Sequence, residues 1–171
     1  MIKRAILAAA VLFFSNVYAA QALEFQGIKL GDDIQSVKDR YWSMRCVDIS
    51  AQDDADSICR VTAIDYAVPI RDVMFTFKTG KLTSITAEFD SGEFETLQKA
   101  AVEKFGKATS LTAARVQNGF GATRNGAIAI WERGDTRLMI GKYGVSLSVG
   151  RLFFEPSKPR PDKTKQNASK M

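Results

Sequence analysis

The chemically most distinctive stretch of the chain is CVDISAQDDADSIC, residues 46–59, which holds both cysteines. Twelve residues separate Cys46 from Cys59, so the pair does not form the C-x-x-C motif of thiol redox proteins. The chain has no histidine, and this spacing is not that of a zinc site. The pair therefore predicts a Cys46–Cys59 disulfide that closes an acidic loop. The aspartates of this loop are Asp48, Asp53, Asp54 and Asp56.

These aspartates allow three interpretations. The first is a solvated surface loop that the disulfide holds in place. The second is a cation site, but only Asp54 and Asp56 match the start of a calcium loop and no glycine follows them. The third is a stiffened acidic loop that binds a basic partner, because cross-linking lowers the entropy lost on binding and acids steer association. We expect a structural staple first, with recognition as the functional role of the aspartates.

A second candidate contact is Phe120, at the centre of the stretch NGFGATRNG. The glycines of this stretch do not have the G-x-G-x-x-G spacing, and no helical pattern follows them, so a phosphate-binding loop is not predicted. Its two Asn-Gly pairs are typical of turns. We interpret the stretch as a loop that presents Phe120, either to a partner or to the core.

Catalytic motifs are missing from the sequence. Without histidine there is no Ser-His-Asp or Cys-His apparatus, and no S-x-x-K motif replaces it. Acidic neighbours such as Glu93 and Glu95 are typical of a helix start. The sequence predicts a protein that is not an enzyme and that needs no cofactor or metal; an enzyme with an unfamiliar site is the last alternative.

The first 22 residues have the order of a bacterial secretory signal. Lys3 and Arg4 precede an apolar run from Ile6 to Phe14, and Ala20-Gln21-Ala22 is an A-x-A cleavage site. Nine apolar residues are too few to cross a bilayer, which needs ~20. We expect cleavage after Ala22 or, alternatively, after Ala19, and a soluble periplasmic or secreted protein in which the two thiols oxidise.

Charge divides the rest of the chain into a domain and a tail. Residues 156–171 carry five bases and one acid, with three prolines, so a disordered basic tail is predicted. Residues 23–155 then keep 17 bases and 18 acids and suit a single domain. This near-neutral balance disfavours nucleic acid as a partner. A weak contact of the tail with anionic lipid or polymer is the functional alternative to a purely solvated tail.

Hydrophobic periodicity predicts two helices followed by strands. Ile34, Val37 and Tyr41 recur at helical spacing, as do Phe94, Leu97 and Ala101 sixty residues later. Alternating apolar residues predict hairpins turned at Lys78–Lys81 and at Arg133–Asp135. We predict an α+β fold in which a tandem helix-plus-strands pseudo-repeat places two helices on one face of an antiparallel sheet.

The stretches GIKLGDDIQSVKDRY, LQKAAVEKFGKATS and FKTGKL…ITAEF resemble the helix entries and hairpins of SmpA/BamE-like and β-lactamase-inhibitor-protein-like small exported proteins. The resemblance covers much of residues 23–149 as a pattern of elements, although the lipidated cysteine of BamE-type proteins has no counterpart here. It implies a non-catalytic role. We expect a protein-binding module of the bacterial envelope, such as an inhibitor or immunity-type protein, whose partner is another envelope or secreted protein. An accessory factor of envelope or outer-membrane assembly is the alternative.

Overall fold

A computed structural model describes residues 22–52, 55–117 and 121–157. All but the last residue of the predicted signal peptide, and most of the predicted tail, therefore lie outside the described residues. Pro156 itself still pairs with Thr136 in the last strand, and Ser157 donates its backbone N–H to the Asp135 carbonyl at 2.8 Å. Within the described ranges, no helix is long and apolar enough to cross a membrane.

Eight antiparallel strands and two short helices make up this part of the chain. The helices are α1, Ile34–Arg40, and α2, Phe94–Phe105, which follows a 3-10 turn at Ser91–Glu93. The strands are β1 Arg45–Gln52, β2 Ala55–Asp65, β3 Pro69–Lys78, β4 Lys81–Asp90, β5 Ser110–Gln117, β6 Thr123–Arg133, β7 Thr136–Ser146 and β8 Val149–Pro156. They form one sheet in the order β1-β2-β3-β4-β8-β7-β6-β5.

This architecture corrects the predicted fold class. The fold is predominantly a β-sheet, and the two helices do not pack on it as equivalent halves of an α+β pseudo-repeat. α1 has seven residues and buries Val37 alone, whereas α2 has twelve residues and buries four. The error arose largely at residues 46–59, where an acidic loop was expected and two paired strands, β1 and β2, are found.

The sheet has a buried inner face and an open outer face. Fully buried residues alternate with half-exposed ones along β3, β4 and β8, as expected for an antiparallel sheet covered on one side. Aromatic and aliphatic side chains of the inner face form one core with the buried residues of both helices. The largest fully buried side chains include Trp131, Phe75, Phe77, Phe89 and Phe154.

The central seam of the sheet lies between β4 and β8. Phe89 stands directly opposite Gly150, and a Cβ atom built on Gly150 would lie 2.3 Å from the Phe89 ring. Glycine is therefore required at this position so that the buried ring can lie over the neighbouring strand.

A side-chain hydrogen bond also connects the sheet to α2. The indole N–H of Trp131 donates to the carbonyl of Gly106, the residue that ends α2.

Candidate binding surfaces

The predicted disulfide is confirmed. Cys46 and Cys59 are directly opposite each other in the β1–β2 hairpin, and their sulfur atoms are bonded at 2.04 Å. Cys59 lies fully buried in the core, while Cys46 packs against it from the edge strand. The bridge therefore fastens the outermost strand to its neighbour, rather than closing a free loop.

The two aspartates of this stretch that the structure describes do not form one acidic surface. The Asp48 carboxylate accepts a hydrogen bond from the Ser57 hydroxyl, its cross-strand neighbour, at 3.0 Å. Asp56 precedes Ser57 in the strand, so it lies on the opposite face of the hairpin. Its carboxylate accepts the backbone N–H of Thr79, in the β3–β4 turn, at 2.6 Å.

The remaining predicted contact residues, Asp53, Asp54 and Phe120, lie outside the described residues. The binding role proposed for the aspartates and for Phe120 therefore stays a prediction. Among the residues that the structure describes, no group of three or more Asp, Glu, Cys or His could hold a metal ion.

A shallow depression lies on the outer face of the sheet, where β6, β7 and β8 run side by side. Gly141 pairs with Ile128 on one side and with Arg151 on the other, so its missing side chain leaves a gap between longer neighbours. The depression measures about 290 Å³. Its lining includes Ile128, Met139, Gly141, Tyr143, Arg151 and Phe153.

Ion pairs stand beside this apolar patch. The Arg151 guanidinium contacts the Glu88 carboxylate across the β4–β8 seam at 3.0 Å, and Arg137 pairs with Glu155 across β7 and β8. These four side chains are one-quarter to one-third exposed. Partly exposed polar groups around an apolar centre are typical of protein interfaces, which have a polar rim.

The most exposed large apolar side chain in the described part of the chain is Trp42, which is 93% exposed. It lies in a four-residue turn between α1 and β1, closed by the Met44 N–H bonding to the Tyr41 carbonyl at 2.9 Å. The Tyr41 ring is buried against Phe75, and its hydroxyl donates to Gln26 at 2.7 Å. Burial raises the pKa of Tyr41 to about 12, partly offset by the nearby Arg40.

A more open and basic cleft lies between the start of α2 and the β7–β8 end of the sheet. It measures about 510 Å³, and Arg124 and Lys142 contribute its cations. Lys142 contacts the Glu95 carboxylate at 2.6 Å, and this hydrogen bond lowers the pKa of Glu95. Because Lys142 already has an acidic partner, we assign no ligand to this cleft.

Sequence reasoning did not single out Trp42 or the depression at Gly141. Trp42 had a signal, since a tryptophan stands between basic residues in KDRYWSMR. The depression had no sequence signal, because it depends on the register of three strands that the sequence does not reveal.

Comparison of the chain with protein-family models, with curated proteins and with solved structures gives no match.

Proposed function

We propose that the protein is an exported, non-catalytic binding module of the bacterial envelope, and that it binds a partner protein through the open outer face of its sheet. The depression at Gly141 is the observation that carries this proposal. It offers a partner a concave apolar site in the middle of a broad surface, which is where the energetically dominant contacts of interfaces concentrate. The disulfide and the signal-like sequence support the proposed export.

The surface around the depression suits a protein partner better than a small ligand. Ile128, Met139 and Phe153 are half-buried and lie on three neighbouring strands, so the apolar surface is broad and shallow. A small ligand normally requires an enclosed pocket that buries most of its surface. The flanking ion pairs would sit at the edge of the interface, where charges tune association rate more than affinity.

Affinity capture from a native envelope fraction tests this function. We expect the wild-type protein to retain a partner and the Gly141→Val variant to lose it, because the added side chain fills the depression. A Cβ at Gly141 makes ordinary contacts, its nearest atom being the Tyr143 carbonyl oxygen at 3.6 Å, so the fold should tolerate the change.

Ala113→Val is the matched control, since it adds similar bulk to an exposed residue of β5 at the other face of the sheet. Equal capture by wild type and both variants would place the binding surface elsewhere and contradict the proposal. A captured enzyme would indicate an inhibitor or immunity-type role, whereas a captured membrane complex would indicate an assembly factor.

A further inference from the structure

The turn that carries Trp42 is anchored at both ends although its tip is exposed. Tyr41 and Met44, at its two ends, pack against the core, and the Met44 N–H donates to the Tyr41 carbonyl. Trp42 therefore presents almost all of its apolar surface to the surroundings. The other tryptophan of the chain, Trp131, is completely buried.

Basic residues flank this turn in the sequence, with Asp39 as the single acid among residues 38–45. Lys38 and Arg40 lie in the last turn of α1, and Arg45 is the first residue of β1. Across the described residues, none of these three cations has an acidic group within ion-pair distance. Arg45 also stands directly opposite Arg60, whose charge is already matched by Asp72 at 3.0 Å.

Like charges directly opposite each other on neighbouring strands are unfavourable, and of these two arginines only Arg60 forms an ion pair among the described residues. The cations around Trp42 are therefore complementary to an anionic surface. The side chain types also fit such a surface, since tryptophan favours the boundary between water and hydrocarbon, and lysine and arginine extend towards lipid phosphates.

We propose that the Trp42 turn docks the protein on anionic phospholipid bilayers, with the indole in the headgroup layer and Lys38, Arg40 and Arg45 against lipid phosphates. A bilayer fits these observations better than a protein does. One projecting ring among polar neighbours such as Ser43 buries far less than the ~800 Å² per partner of a stable protein interface. A lipid surface needs no shape complementarity. This inference does not depend on the partner of the outer face.

Tryptophan fluorescence of the exported protein tests the proposal, because the buried Trp131 provides an internal reference. The probes are vesicles of phosphatidylcholine alone and of phosphatidylcholine mixed with phosphatidylglycerol. With anionic vesicles, we expect the emission to move to shorter wavelength and brominated lipids to quench part of it. Neutral vesicles should leave the emission unchanged. The Trp42→Phe variant should show neither change, since only Trp131 then emits.

The strength of binding gives a second measurement. Trp42→Ala should weaken partitioning by at least about tenfold, because burying half of an indole's ~200 Å² at ~25 cal/mol per Å² corresponds to more than one factor of ten. The double variant Lys38→Gln with Arg45→Gln should weaken partitioning by roughly 25-fold, because each cation near an anionic membrane contributes ~1 kcal/mol, or about fivefold.

The control for charge is Arg115→Gln with Arg124→Gln, which removes two cations from exposed residues at the opposite edge of the sheet. These changes should have a much smaller effect on partitioning than the pair beside Trp42. Vesicle binding without any change in emission, or equal binding by Trp42→Ala and wild type, would assign the contact to the basic tail and overturn the proposal. Absence of binding to anionic vesicles at low salt would overturn it as well.

Discussion

Replacing Gly150 by alanine should severely destabilise the protein, because the new methyl group has no space at the central seam of the sheet. The Cβ atom would lie 2.3 Å from Cζ and 2.4 Å from Cε2 of Phe89, whereas ordinary contacts begin near 3.4 Å. Phe89 is completely buried and stands directly opposite Gly150. Its ring would have to move by about 1 Å inside a close-packed core.

Overpacking of this kind usually costs about 1–3 kcal/mol of unfolding free energy. We expect about 3 kcal/mol for Gly150→Ala, because the displaced ring lies on one of the two strands that join the halves of the sheet. For a domain of this size, 1 kcal/mol corresponds to roughly 3–6 °C, so the melting temperature should fall by on the order of 10 °C or more. Thermal denaturation followed by circular dichroism, with urea unfolding alongside, measures both quantities.

Gly141→Ala is the matched control, since its Cβ would meet only ordinary contacts. Its melting temperature should stay within about 2 °C of wild type or rise slightly, because alanine reduces the entropy of the unfolded chain. Phe89→Leu combined with Gly150→Ala should recover part of the lost stability. If Gly150→Ala alone melts within about 2 °C of wild type, the packing described for the β4–β8 seam is incorrect.

Three further changes probe the hairpin and the Trp42 turn. Cys46→Ser with Cys59→Ser should lower the unfolding free energy by ~3 kcal/mol in the chain-entropy model, and an unchanged urea midpoint would contradict this. Asp56→Ala should cost roughly 1 kcal/mol by leaving a turn amide unpaired, measured in the same way. For Tyr41, burial raises the pKa from 10.0 to about 12, so the folded state opposes ionisation of the phenol, and the unfolding free energy should fall by roughly 2–3 kcal/mol as pH rises from 10 to 12. Tyr41→Phe should be less stable than wild type at pH 7, because it loses the hydrogen bond to Gln26, and should gain on wild type above pH 10; a difference in unfolding free energy that stays constant with pH would refute the assignment.

The sequence predicted those features that depend on local chemistry. The turns after Lys78 and Arg133 are found where predicted, since glycine at 80 and 134 supplies the positive φ that each turn needs. Gly106 ends α2 for the same reason. The Cys46–Cys59 bridge followed from an even cysteine pair and an export-like leader.

Features set by tertiary pairing were not predictable. The acidic stretch reads as a loop because aspartate disfavours strands, but the disulfide and the apolar residues at Ile58 and Val61 hold it in the sheet. Leu111 pairs with the buried Ala129, yet it is 60% exposed because β5 is the edge of the sheet. Which face of a strand is covered depends on strand order, which local patterns do not encode.

The strand order also has a consequence for how the chain folds. β1 to β4 pair with their neighbours in sequence, and so do β5 to β8, but the two groups join through β4 and β8, where Ile85 meets Phe154. The sheet therefore cannot be completed until β8, the last strand described, is available. Before that, β4 and β7 each present an unpaired edge to other chains. Pairing residues that are so distant in sequence costs loop-closure entropy, and this cost slows folding. A chain of this topology can complete its sheet only after its last strand has been synthesised, and until then it depends on protection of those edges from aggregation.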